Sequence, residues 1–63
     1  MIFIYGKFKD QKKFKPIGKV KDSLQLVSKK KQALVWKDKE RAQEAVDMLK
    51  EFNPDIKFKI VED

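Results

Sequence analysis

Residues 32–63, QALVWKDKERAQEAVDMLKEFNPDIKFKIVED, decide how this chain folds, because the spacing of their apolar residues changes character along the stretch. Ala33–Trp36 is a short apolar run that reads as a strand. Ala42, Ala45, Val46, Leu49 and Phe52 then recur at intervals of three and four, which places them in one stripe of an amphipathic helix with Met48 on its flank. Asp38 stands where a carboxylate can accept hydrogen bonds from the free amides of a first helical turn, and Glu40 adds negative charge at the end of the helix dipole that favours it. The helix therefore begins near Lys39. Asn53 supplies a residue tolerant of the left-handed conformation that ends helices, and Pro54 forbids continuation. Ile56, Phe58 and Ile60 next alternate with Lys57 and Lys59, the period-two pattern of a half-buried strand. If the strands on either side of the helix are parallel, the crossover between them is right-handed. One helix covers one face of a sheet and leaves the other open.

Everything before this unit must pack against it or decorate it. Ile2 and Ile4 point to one side of a first strand, Met1–Phe8, while Phe3, Tyr5 and Lys7 point to the other. Both sides begin apolar, which places this strand at the centre of the sheet. Lys9–Lys13 is a polar connection whose flanking Phe8 and Phe14 are expected to face each other as an aromatic pair. A second strand, Phe14–Ile17, contains Pro16, which donates no ladder hydrogen bond and so belongs at an edge or an irregular point, with Gly18 allowing a bend after it. In residues 19–31 the expectation is a short strand over 23–28 paired with 32–36; the alternative is a loop with Leu24 and Leu26 tucked beneath it. The sequence thus predicts an α+β fold in a single domain, residues 1–63: a small, largely antiparallel sheet of four or five strands with one helix packed on one face, in the order β-β-(β)-β-α-β.

A chain of 63 residues buries only ~60% of the surface its unfolded form exposes, so nearly every large apolar residue is needed for the core. The composition, 41% hydrophobic and 41% charged, is too apolar and too patterned for a disordered tail. With neither cysteine nor histidine, the chain has no disulfide, no thiolate or imidazole metal ligand, no cysteine nucleophile and no histidine acid–base catalysis of its own. The only glycines, Gly6 and Gly18, make no phosphate-cradling loop. The expectation is a protein that is not an enzyme and needs no cofactor or metal. No apolar run approaches the ~20 residues of a membrane span, and Met1 leads directly into a strand rather than a signal segment; a cytoplasmic protein that does not enter membranes is expected.

The net charge of +6 is unevenly distributed. Residues 1–37 carry eleven lysines against Asp10 and Asp22, a local charge of +9, whereas residues 38–63 carry four lysines and Arg41 against eight acids, a local charge of −3. Lys7, Lys9, Lys12, Lys13, Lys15, Lys19, Lys21, Lys29, Lys30 and Lys31 are candidates for a field that holds phosphate groups. The competing reading is a solubilising surface that guards exposed strand edges. On the sheet face away from the helix, Phe3 and Tyr5 are expected near Lys57 and Lys59, with Trp36 at the margin, an arrangement on which bases can stack. Phe3 and Trp36 have core burial as their alternative, which leaves Tyr5 as the better candidate for exposure. Asp38, Glu40, Glu44, Asp47 and Glu51 alternate with Lys and Arg and read as a solvated helix flank rather than a cation or acid–base site.

The opening FIYGKF, the lysine-rich KDQKKFKPIG and the closing KERAQEAVDMLKEFNPDIKFKIVE resemble small uncharacterised proteins of Firmicutes-type bacteria and of their phages or mobile elements. The resemblance leaves residues 19–31 uncovered and transfers no functional residue. It implies a genomic setting in which accessory proteins bind nucleic acid or host proteins. The sequence-level expectation is accordingly a non-enzymatic basic binding module whose partner is nucleic acid, DNA or RNA. The alternative is a protein-interaction module, such as a phage-encoded modulator of a host protein, that docks an acidic protein surface on an edge strand or on the open face. A homodimer through that face is the third arrangement.

Overall fold

The computed structural model describes residues 1–63. Four strands, β1 (Ile2–Phe8), β2 (Lys15–Val20), β3 (Ser23–Leu26) and β4 (Ile56–Glu62), and one helix, α1 (Lys39–Phe52), follow one another as β-β-β-α-β, with a 3-10 turn at Lys30–Gln32. The sheet order is β3-β2-β1-β4 and every pairing is antiparallel. β1 has a partner on each side, as its two apolar faces require. All seven of its residues pair with β4, from Ile2 opposite Glu62 to Phe8 opposite Ile56.

α1 packs across β1 and β4 on the face that carries Ile2, Ile4, Phe58 and Ile60. Ile2, Ile4, Ile17, Ala42 and Val46 form the core, and Leu26, Trp36 and Ala45 lie against it. Each large aliphatic side chain taken fully out of water there contributes ~1.5–3 kcal/mol. The Asp38 carboxylate accepts from the Arg41 amide at 2.8 Å, the expected cap, with Glu40 in the first turn and Lys50 in the last. The other end differs from expectation. Asn53 has φ −134° rather than a left-handed conformation, and it closes the helix by donating both its backbone amide and its side-chain Nδ2 to the Leu49 carbonyl at 2.9 and 3.0 Å. Phe52 does not pack with the rest of the predicted stripe. It lies within about 20° of Ala45 around the helix axis, but as the last residue of α1 it is 77% exposed.

The segment before the helix is not a strand, and no parallel crossover exists. Residues 33–36 make only two isolated antiparallel bridges, Gly18 with Ala33 and Ile2 with Trp36. The regular β1–β2 ladder is confined to Tyr5–Pro16 and Gly6–Lys15. Beyond it, the Leu34 amide donates to Ile17 O at 3.0 Å and the Trp36 amide to Ile2 O at 2.8 Å, so this segment ties the two strands together where they diverge. Pro16, with no N–H to donate, sits where β2 changes partner from β1 to β3. The expected pairing of 23–28 with 32–36 gives way to a β2–β3 hairpin from Ile17–Leu26 to Val20–Ser23. Its turn is Lys21-Asp22, with Lys21 at φ +58°.

Phe8 and Phe14 do not pair. Phe8 faces the helix side opposite Ile56, while the register that sets Tyr5 against Pro16 carries Phe14 to the other face, opposite Lys7. On that other face the segment after β3 supplies a second cover. Val27 donates its amide to Pro16 O, and Phe3 and Val27 are both buried, at 5% and 6% exposure, without any contribution from α1. No helix is long and apolar enough to cross a membrane.

Candidate functional site

The 27–36 segment covers only the Phe3 end of the second face, and the rest of that face stays open. Strand alternation and register bring together Tyr5 and Lys7 from β1, Lys57 and Lys59 from β4, and Phe14 from the approach to β2. Tyr5 lies opposite Lys59, and Lys7 lies opposite Lys57. Phe14 is half-buried, with the Lys59 ammonium 4.3 Å and the Lys7 ammonium 5.6 Å from its ring centroid. Both lysines reach along the sheet surface to the same ring. Lys7 also donates to Gln11 O at 3.1 Å, which fixes its position.

The electrostatics of this face are one-sided. The two ion pairs in the protein are Lys30–Asp63 and Lys39–Glu62, so Lys7, Lys57 and Lys59 have no carboxylate partner. Lys30 sits 5.2 Å above the Phe3 ring and bonds to Asp63. That hydrogen bond, and then the attraction between the charges, raise the Lys30 ammonium above its ordinary pKa and lower the Asp63 carboxyl below its own. The Lys30 charge is therefore balanced by Asp63 at the margin of the face, while Lys7, Lys57 and Lys59 have no such partner.

Like charges directly across a β-ladder destabilise it, and opposite charges stabilise it by roughly 0.2–1 kcal/mol. The Lys7–Lys57 pair is therefore a cost to the β1–β4 ladder. Lys57→Glu is expected to raise the melting temperature by a few degrees in a circular-dichroism melt. An unchanged or lower midpoint would show that solvent already relieves the repulsion.

The ten lysines read from the first half do not form one surface. Lys9, Lys12 and Lys13 lie in the β1–β2 connection, with Lys15 just after it. Lys19 and Lys21 lie at the other end of β2, a strand length or ~20 Å away. Lys15 and Lys19 share the helix-side face with Ile17. Lys29 and Lys31 flank Lys30 beside and within the 3-10 turn, exposed. Of the twelve candidates, Lys7 and Tyr5 belong to the open face and Lys30 to its edge. Trp36 does not: it packs against the helix-side core, on the opposite side of the sheet from Tyr5. Phe3, buried under Lys30, serves as the floor of the face rather than as an exposed ring.

Phe14 escaped the sequence reading because its assignment depends on hairpin register. The available signal was its two-residue spacing from Pro16, which puts both on one side of the strand.

Elsewhere the surface offers less chemistry. One shallow cleft is lined by Phe8, Lys9, Asp10 and Asp55, and another by Phe8, Leu24, Gln25, Leu26, Asn53 and Ile56. No polar or charged side chain is buried, and no three acids come together as cation ligands. Comparison with protein-family models, curated proteins and solved structures finds no match to this chain.

Proposed function

We propose that this protein is a small, non-enzymatic binding module of the cytoplasm whose partner is nucleic acid, held on the open sheet face by Lys7, Lys57 and Lys59 together with the rings of Tyr5 and Phe14. The observation that carries this reading is the set of three ammonium groups without a counter-ion, two of them converging on one aromatic ring. Protection of the outer strand β4 accounts for lysines on it, but not for Lys59 reaching back to the Phe14 ring beside Lys7. A phosphate backbone resolves the repulsion by supplying the missing negative charge.

Relative magnitudes decide whether Phe14 is available to a base. An exposed cation–π contact is worth ~0.5–1 kcal/mol, whereas a base stacked on an aromatic ring is worth ~1–3 kcal/mol. A base therefore displaces the Lys59 ammonium from the ring, and the freed ammonium turns to phosphate. The setting implied by the resemblance of both chain ends to small proteins of Firmicutes-type bacteria and their phages is consistent with such a partner. A homodimer through this face would set the three lysines against their own copies, which charge repulsion opposes.

Fluorescence anisotropy with a labelled 12-nucleotide single strand tests the reading. Three phosphate contacts give a slope of log K against log salt near −2, so affinity should fall about twentyfold between 50 and 200 mM salt. Absence of binding at 25 mM salt would overturn the proposal. So would equally tight binding of a poly-glutamate chain of matched charge, which would assign the face to an acidic protein surface instead.

A further inference from the structure

Resting on the nucleic-acid reading, we infer that the face selects single-stranded over double-stranded nucleic acid and takes two bases, one on Tyr5 and one on Phe14, splayed apart rather than stacked on each other.

The selection follows from what the surface presents. Tyr5 and Phe14 offer their rings on one open strand face, where two lysines without carboxylate partners reach the Phe14 ring. In a duplex the π-faces of the bases are occupied by their neighbours, and such rings find nothing to stack on. Groove reading by a helix requires that helix to present a basic surface. The one helix is unsuited to that role, because its exposed side carries Glu40, Glu44, Asp47 and Glu51 among its basic residues.

The splaying follows from register. Tyr5 lies directly opposite Pro16, two residues along from Phe14, so the two rings occupy diagonal positions of neighbouring strands. Diagonal neighbours are ~7–8 Å apart, about twice the ~3.4 Å rise of a stacked strand. Two successive bases cannot keep their mutual stack and also each lie on one ring. The sugar–phosphate between them then crosses β1, where Lys7 and the β4 lysines reach it.

The test compares a labelled 12-nucleotide strand with a 12-base-pair duplex at 50 mM salt, for the full chain and for Phe14→Leu and Phe14→Trp. The single strand should bind at least tenfold more tightly than the duplex. Phe14→Leu keeps an apolar side chain in place but removes the π-face; it should weaken single-strand binding roughly five- to a hundredfold and leave the salt slope unchanged. Phe14→Trp should preserve affinity. An oligonucleotide with adjacent 2-aminopurines should brighten on binding as their mutual stack is broken. Equal binding of strand and duplex, with Phe14→Leu silent, would overturn the single-strand inference and leave a charge-based nucleic-acid interface standing. No binding by either oligonucleotide at low salt would remove both.

Discussion

Gly18→Ala is expected to lower the melting temperature of this protein by roughly 10–20 °C. A Cβ built at Gly18 falls 2.4 Å from the Gln32 carbonyl oxygen and 2.9 Å from Val27 Cγ1. The first of these is backbone, held in a 3-10 turn in which Gln32 N donates to Lys29 O and Ala33 N to Lys30 O, both at 3.0 Å. It cannot rotate away as a side chain would. Relief requires the segment to lift off β2, which endangers the Leu34–Ile17 and Trp36–Ile2 hydrogen bonds that join β2 to β1 where they diverge.

Overpacking of this kind costs ~1–3 kcal/mol, and each strained hydrogen bond up to ~1 kcal/mol more. A chain of this length has about 3–9 kcal/mol of total stability, and each kcal/mol moves the midpoint by ~4–8 °C. Gly6→Ala provides the contrast. Its Cβ would meet only the side chains of Leu26, Ile56 and Phe58, at 3.1–3.2 Å, and these can give by a few tenths of an ångström. A melt in which Gly18→Ala shifts no more than Gly6→Ala would show that the 27–36 segment yields easily and does not brace the sheet.

Residues 19–31, which run into that segment, are where the sequence was least readable, for identifiable reasons. β1, α1 and β4 were legible because each carries a complete periodic pattern: two apolar faces in Ile2–Tyr5, the three-and-four spacing of Ala42–Leu49, and the alternation of Ile56–Ile60. The β2–β3 hairpin was not, because its turn is Lys21-Asp22 rather than a glycine-containing pair, and lysine enters the left-handed region only at a cost of ~1–2 kcal/mol. Ala33–Trp36 looked like a strand because its residues are apolar. Its apolarity serves a different purpose, wedging between two strands with one amide bonded to each. Gly18 read as a place for the chain to bend, whereas its missing side chain leaves the space that the Gln32 carbonyl occupies.

The candidate site divides in the same way. Alternation alone placed Tyr5 on one face with Lys57 and Lys59 nearby, and the register confirms that placement. Trp36 and Phe14 could not be placed by alternation because both assignments depend on long-range pairing. Trp36 follows Ile2 to the helix side, and Phe14 follows Pro16 to the open side. The lysine surplus of the first half was visible as a number, but charge counted along a chain is not charge gathered on a surface. Only the fold shows that Lys19 and Lys21 lie a strand length from Lys9 and Lys12.

That distinction makes the second large prediction decisive for function. The triple variant Lys7→Gln, Lys57→Gln, Lys59→Gln is expected to lose about 500-fold in affinity for a 12-nucleotide single strand at 50 mM salt. Each phosphate contact contributes roughly eightfold at that concentration through counterion release, and the salt slope should flatten from about −2 toward zero. The fold should survive, because all three side chains lie outside the core and the opposed Lys7–Lys57 charges disappear. A second triple variant, Lys19→Gln, Lys21→Gln, Lys50→Gln, removes the same net charge from exposed positions away from the open face. It should cost only the small loss that follows from a less positive molecule. Equal losses in the two triples would mean that binding follows total charge and that the aromatic face is not the site. A loss confined to the first would place the interface where β1 and β4 set three lysines without carboxylate partners beside Tyr5 and Phe14.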